Sequence, residues 1–299
     1  MKIKTLFATI ALGALLSMTS CLNDGDNEIT STLTFNDYFN TVSDITTGNT
    51  SVMPIVKYKV VLKQNSERLT AVISMSNFAL EDLKTYDFVL PELAVSEKKD
   101  GTMVIEADAV KPQSGTETDY ITFDRVEFKI LQLSFKSTEG TTVLRTIMSA
   151  RFKVNGKWQV NAVPKEAICF AKTESVNDET GSKYTDNEAL YTITFNYLTG
   201  LADIDIEGAK FMEKMPAMNM KFPKVPFTAS ASGVVLHADE VVPTIGDVPY
   251  PQYAITDIDC VFNALATNTL TFKCNPGGMG NFSINALICE NPVVFNESK

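Results

Sequence analysis

Hydrophobic and polar residues alternate along much of this chain. In Leu201–Gly208 (LADIDIEG), Ala202, Ile204 and Ile206 alternate with Asp203, Asp205 and Glu207; in Arg125–Ile130 (RVEFKI), Val126, Phe128 and Ile130 alternate with Arg125, Glu127 and Lys129. A period of two puts successive side chains on opposite faces of an extended chain, so such segments read as strands with one buried and one wet face. Sheets packed on one face only are characteristically antiparallel. Turn signals recur at short spacing, at Asn65-Ser66, Asp100-Gly101, Glu139-Gly140, Asn155-Gly156 and Pro276-Gly277-Gly278. Many short strands between such turns predict an all-β protein of barrel or sandwich type. Ala79–Thr85 (ALEDLKT) could form one helical turn, and no long amphipathic helix is expected.

The pattern repeats. Tyr58–Phe78 (YKVVLKQNSERLTAVISMSNF) realigns without a gap on Tyr191–Phe211 (YTITFNYLTGLADIDIEGAKF), an offset of 133 residues. Further on, Phe88–Val95 (FVLPELAV) matches Met220–Phe227 (MKFPKVPF) with Pro91 on Pro223, Gly101 falls on Gly233, and Tyr120 falls near Tyr253. The order of strand, turn, proline and strand persists through both stretches. Two tandem antiparallel copies follow, residues 30–162 and 163–299, each expected to be barrel-like or a sandwich.

The run Leu201–Phe227 (LADIDIEGAKFMEKMPAMNMKFPKVPF) and its echo LTAVISMSNFALEDLKTYDFVLPELAV resemble the repeat of calycin-like (lipocalin-like) lipoproteins of Bacteroidetes. The resemblance covers most of both copies. It implies an antiparallel barrel-like fold and an exported lipoprotein, and it implies no settled activity. The first copy departs from the pattern, with Leu80 and Leu83 where the second has methionines, so the two copies are not implied to bind the same thing.

The N-terminus agrees with export. Lys2 and Lys4 precede the apolar run Leu6–Leu16, which is followed by small residues in the manner of a secretory signal, here residues 1–20. A bilayer-spanning helix needs about 20 apolar residues, more than this run supplies. Leu16, Ser17, Met18, Thr19, Ser20 and Cys21 resemble a bacterial lipoprotein cleavage box. Cys21 is therefore expected to carry the lipid that ties the chain to the bilayer, with residues 21–29 as a tether, because several acyl chains together make a durable anchor. Asp24, Asp26 and Glu28 resemble the acidic signal of surface-displayed lipoproteins, which implies an outer-membrane location facing the cell exterior.

Charge narrows the partners. The formal charge is -10, and loss of Lys2 and Lys4 with the signal leaves 24 basic residues against 36 acidic ones. Nucleic acid, which is bound through clustered Lys and Arg, is not an expected partner. A small apolar ligand or a glycan is. Cys169, Cys260, Cys274 and Cys289 remain in an exported context where disulfides can form. A bridge between Cys260 and Cys274 is open, but both alternate with Ile258, Phe262, Leu270 and Phe272, the pattern of buried thiols.

Four methionines, Met212, Met215, Met218 and Met220, are the candidate ligand-binding residues, since thioethers fill core gaps and adapt to apolar ligands. Thioethers also suit copper(I), but no cysteine or histidine lies beside the run, and no metal or cofactor is expected. Asp203, Asp205 and Glu207, and again Asp257 and Asp259, share strand faces and read as solvated rather than as converging acid-base pairs. His237, the one histidine, reads as a surface residue, and no G-x-S-x-G nucleophile motif is present. A non-catalytic protein is expected. Trp158, the one tryptophan, leaves little for an aromatic glycan platform, since most Tyr and Phe read as core.

Overall fold

A computed structural model describes residues 29–288 except 66, 81–83, 114–119, 137–141 and 264–267. The signal segment, Cys21 and most of the tether, the centre of the expected helical turn with Leu83, the Glu139-Gly140 turn and Cys289 lie outside the described residues. The fold is all-β, with two large sheets whose strands pair antiparallel, as the period-two alternation implies. The chain divides into two compact units between Ala162 and Val163, with Thr50–Val52 grouped with the second.

The first unit comprises β1 (Ile29–Asp44), β2 (Thr50–Gln64), β3 (Leu69–Ala79), β4 (Thr85–Val89), β5 (Leu93–Ala94), β6 (Ser96–Glu97), β7 (Met103–Val110), β8 (Phe123–Lys136), β9 (Thr142–Val154) and β10 (Trp158–Pro164). Its sheet runs β4-β3-β2-β1-β10-β9-β8-β7-β6. Each long strand thus lies beside its sequence neighbour, and the first long strand lies beside the last. β5 pairs with β3 while β6, one residue further on, pairs with β7, so the stretch from Leu93 to Glu97 leads from one end of the curled sheet to the other. Asn155 and Gly156, both at positive φ (51° and 64°), make the turn between β9 and β10 that the Asn-Gly pair predicts, with Lys157 completing the connection.

The second unit repeats this order. Its strands are β11 (Glu166–Asn177), β12 (Lys183–Asp186), β13 (Leu190–Asn196), β14 (Leu201–Ala209), β15 (Met218–Ser230), β16 (Gly233–Val241), β17 (Thr244–Ile245), β18 (Val248–Pro249), β19 (Ile255–Phe262), β20 (Asn268–Cys274) and β21 (Phe282–Ile288). The path β14-β13-β11-β21-β20-β19-β16-β15 returns to its start, because β15 also pairs with β14. Eight strands therefore close a ring. A ring of this size has an interior that side chains just fill, or that holds one small ligand.

The two units share anchoring details at the 133-residue offset. Tyr58, fully buried, donates its hydroxyl to Asn40 Oδ1 at 2.7 Å, and the equally buried Tyr191 hydroxyl meets Thr173 Oγ1 at 3.0 Å. Burial pushes both phenols above their ordinary range, which keeps them neutral. The side chain of Asp44 accepts the backbone N–H groups of Thr46 and Thr47, as that of Asn177 accepts those of Glu179 and Thr180. These Asx turns end strands that would otherwise run on. Close to that offset though not at it, a bulge in β3 sets Asn77 at φ 62° with its N–H on Asp87 Oδ1, and one in β14 sets Gly208 at φ 74° with its N–H on Asn219 Oδ1. Such bulges bend a strand, which is what curling a sheet requires.

An apolar cleft at the mouth of the second ring

Because successive strands of the second unit run in opposite directions, the connections after β11, β14, β16 and β20 gather at one end of the ring. A cleft opens at that end. Phe211, Met218 and Met220 line it from the β14–β15 side, Pro243, Ile245, Tyr250, Tyr253 and Ile255 from the β16–β19 connection, and Cys274, Asn275 and Pro276 from the end of β20. The enclosed space is about 30 Å³. A single buried water needs roughly 10–15 Å³, so the space suits one small group and is too small to swallow a long acyl chain.

Local sequence holds these walls in place. The segment VPYPQY, Val248–Tyr253, ends in a short 3-10 turn with Pro251 at its start, where a missing N–H costs nothing. The Tyr250 N–H donates to Pro243 O at 2.9 Å, and the Tyr250 and Tyr253 rings lie nearly parallel with centroids 6.0 Å apart. Thr244 pairs with Lys221, tying this connection back to β15. Across the cleft, the Phe211 carbonyl accepts Ser175 Oγ–H at 2.6 Å and its N–H points at Met215 Sδ at 3.4 Å, while its ring packs edge-on against Phe272.

No charged side chain lines the cleft. Burial, and after it the negative charge of Asp178, pushes the Cys274 thiol up to about 12, so it is a neutral wall and not a nucleophile. Cys260, also pushed up to about 12 by burial, is likewise a free buried thiol, as the alternation implied. Cys169 is disulfide-bonded, and its partner lies outside the described residues.

The methionines separate. Met218 and Met220 line the cleft, Met215 is buried beneath Phe211, and Met212 is half-buried in the turn away from the lining. The carboxylates sit on outer faces with cationic neighbours. Lys221 Nζ reaches Asp203 at 2.8 Å and Asp205 at 3.6 Å. Partial burial would raise the Asp203 carboxyl, but the Lys221 ammonium and the Lys224 N–H together hold it below its ordinary value. Asp257 pairs with Lys273 at 2.9 Å, and exposed His237 meets Asp259 through Nδ1 at 2.7 Å. Among the described residues no group of three or more His, Cys, Asp or Glu could hold a metal ion. Trp158 is half-buried against the first core with Lys157 Nζ 4.1 Å from its ring centre.

Tyr250, Tyr253, Pro243 and Asn275 were not legible as site residues from alternation. The available signal was the VPYPQY run itself, which packs two prolines and two tyrosines into a connection, where side chains of this size need a surface to rest on. No family model, curated protein or solved structure matches the chain.

Proposed function

We propose that this chain is a lipid-anchored, exported, non-catalytic binding protein that receives a small apolar group at the mouth of its second barrel. One observation carries the reading: at that mouth the chain leaves an uncharged, Met- and Tyr-lined cleft, where matched positions of the first unit carry a cluster of packed aromatic rings. Ligand sites are typically concave, mostly apolar and often placed in barrel mouths. The eight successive strands closing first on last agree with the calycin-like resemblance of the sequence. Anchoring through Cys21 and display on the outer face of the outer membrane rest on the signal, the cleavage box and the acids Asp24, Asp26 and Glu28.

Native mass spectrometry of protein purified from its own host tests the binding. A small co-purifying molecule is expected with the wild type and not with Met220→Phe, which puts the first unit's ring into the cleft. Repeated absence from the wild type would refute it. A second reading, recognition of a partner protein or glycan by the rim, draws support from the exposed Val248 and Met279 on connections at the same end. Cross-linking on intact cells that captured one partner through Val248 or Met279, with no small molecule present, would favour it.

A further inference from the structure

The second ring is closed by pairing its first strand with its last. β11 and β21 run together from Asn177 opposite Phe282 to Ala171 opposite Ile288. β11 begins five residues earlier, and its stretch Glu166–Phe170 pairs with β13 on one side, while among the described residues no strand pairs with it on the other. The seam is therefore shorter than β11 itself, and what it leaves unpaired lies at the end of the ring away from the cleft. Cys169 sits in that stretch, buried and disulfide-bonded. The chain has five cysteines, of which Cys260 and Cys274 are free thiols, so the partner of Cys169 is Cys21 or Cys289.

Two independent arguments choose between them. Cys289 follows directly on Ile288, which pairs with Ala171, two residues from Cys169. One Cα step is about 3.8 Å and disulfide partners stand about 4.4–6.8 Å apart at Cα, so Cys289 is within reach of Cys169. Cys169, Ala171 and Ile288 are all buried, so the bond requires the chain to turn inward at residue 289 and ends the ladder at Ile288. Cys21, read as the lipid anchor, holds its sulfur in a thioether and has no thiol to give. We propose, with this second argument resting on that reading, that Cys169 is bonded to Cys289. A covalent staple then joins the last strand of the second ring to its first, and Cys21 is left for the lipid. The first copy, with no cysteine in residues 30–162, has no such staple. Two thiols give up two protons and two electrons to form the S–S bond, and a protein disulfide of the exported compartment accepts them by thiol–disulfide exchange, ending as a dithiol. The staple is made after export, because a reducing cytosol keeps such thiols apart.

The test uses the mature chain isolated from its own host, denatured in iodoacetamide without reductant and digested with trypsin and chymotrypsin, whose cuts separate Cys274 from Cys289. Mass spectrometry is expected to find Cys169 joined to Cys289, Cys260 and Cys274 alkylated, and the Cys21 peptide carrying lipid. A link from Cys169 to Cys21 overturns the pairing and the lipid reading together. Cys169 alkylated, or joined to Cys260 or Cys274, overturns the pairing and leaves the lipid reading standing. A link from Cys169 to Cys289 beside a lipid-free Cys21 upholds the pairing and sinks the lipid reading. Urea unfolding with and without dithiothreitol reads the stapling. Reduction is expected to lower the unfolding midpoint of the second unit, followed by far-UV circular dichroism, and to leave unmoved that of the first, followed by Trp158 fluorescence. Cys289→Ser is expected to reproduce the loss without reductant; if it does not fold, reduction of the wild type decides alone. A second-unit midpoint that ignores reduction overturns the staple as a support of the ring.

Discussion

The two mouths differ at matched positions. Pairing registers set Tyr86 and Phe88 of β4 against the β3 strand as Met218 and Met220 of β15 are set against β14, and Phe123 of β8 opposite Val110 as Ile255 of β19 is opposite Val241. In the first unit Phe78, Phe88, Phe123 and Phe152 form a continuous edge-to-face cluster with ring centroids 5.3–5.9 Å apart, and Tyr86 stacks on Phe88. In the second, Phe211 and Phe272 remain, but Met218, Met220 and Ile255 stand where the first has the rings of Tyr86, Phe88 and Phe123. A methionine is narrow and flexible where a phenylalanine is broad and rigid, so the replacement leaves space without removing apolar character. The two scaffolds share their Asx turns and bulges, and at these matched positions the copies differ in how much aromatic volume they carry.

The largest expected effect breaks the aromatic side. Phe123→Ala removes a ring with no exposed surface that touches three others, and should cost the first unit about 3–5 kcal/mol. Ile255→Ala, beside an existing cleft, should cost the second unit nearer 2 kcal/mol, the low end for such truncations. Urea unfolding separates the two, because Trp158, the one tryptophan, reports the first unit by fluorescence and leaves far-UV circular dichroism to follow both. Equal losses would mean that the second mouth is as tightly packed as the first. The converse change closes the open side. Met220→Phe should shift stability by no more than about 1 kcal/mol, because the added ring enters existing space, and should displace any apolar probe. A loss of several kcal/mol would show that the cleft cannot take the ring.

Much of this was readable beforehand, and the reason is periodicity. Strands with one wet face declare themselves by alternation, and the duplication declared itself because Tyr58 and Tyr191 lie in matching strands and their buried hydroxyls need the same partner position, Asn40 in one copy and Thr173 in the other. The turn pair Asp44-Ile-Thr-Thr-Gly48 and Asn177-Asp-Glu-Thr-Gly181 holds the same offset, and could have fixed the start of each copy. The cleft was half legible. Met218 and Met220 stood out by composition, but which of four methionines faces the space depends on the β14–β15 register and its bulge, a non-local fact. Asn275 and Tyr253 were hidden because their role comes from three connections meeting at one end, which no window along the chain contains.

The smallest expected effect lies on the outer faces, where the same comparison takes an electrostatic form. In the first unit Glu106 pairs opposite Glu127, and Arg125 holds both together with Asp108 at 3.1–3.2 Å. In the second, His237 pairs opposite Asp259, with Asp239 3.6 Å from its other nitrogen, while Lys273 takes Asp257. The centre of one network is thus a guanidinium that stays charged at any ordinary pH, and the centre of the other is an imidazole. The hydrogen bond that His237 gives to the Asp259 carboxylate, and then the charge of Asp259, raise the His237 pKa above the usual imidazole value. A group whose pKa is raised on folding contributes stability that is fully present below its unfolded value, about 6.5, and is lost as pH rises through the folded value. The second unit should therefore lose a small increment of stability as pH rises through that window, and the first unit should not, with His237 fully exposed to solvent keeping the increment slight. An NMR titration of the single imidazole reads it directly: a pKa above 6.5 in the wild type, falling back in Asp259→Asn. A wild-type value no higher than that of a free histidine would mean that the two networks are not counterparts, and that Asp259 leaves His237 alone in solution.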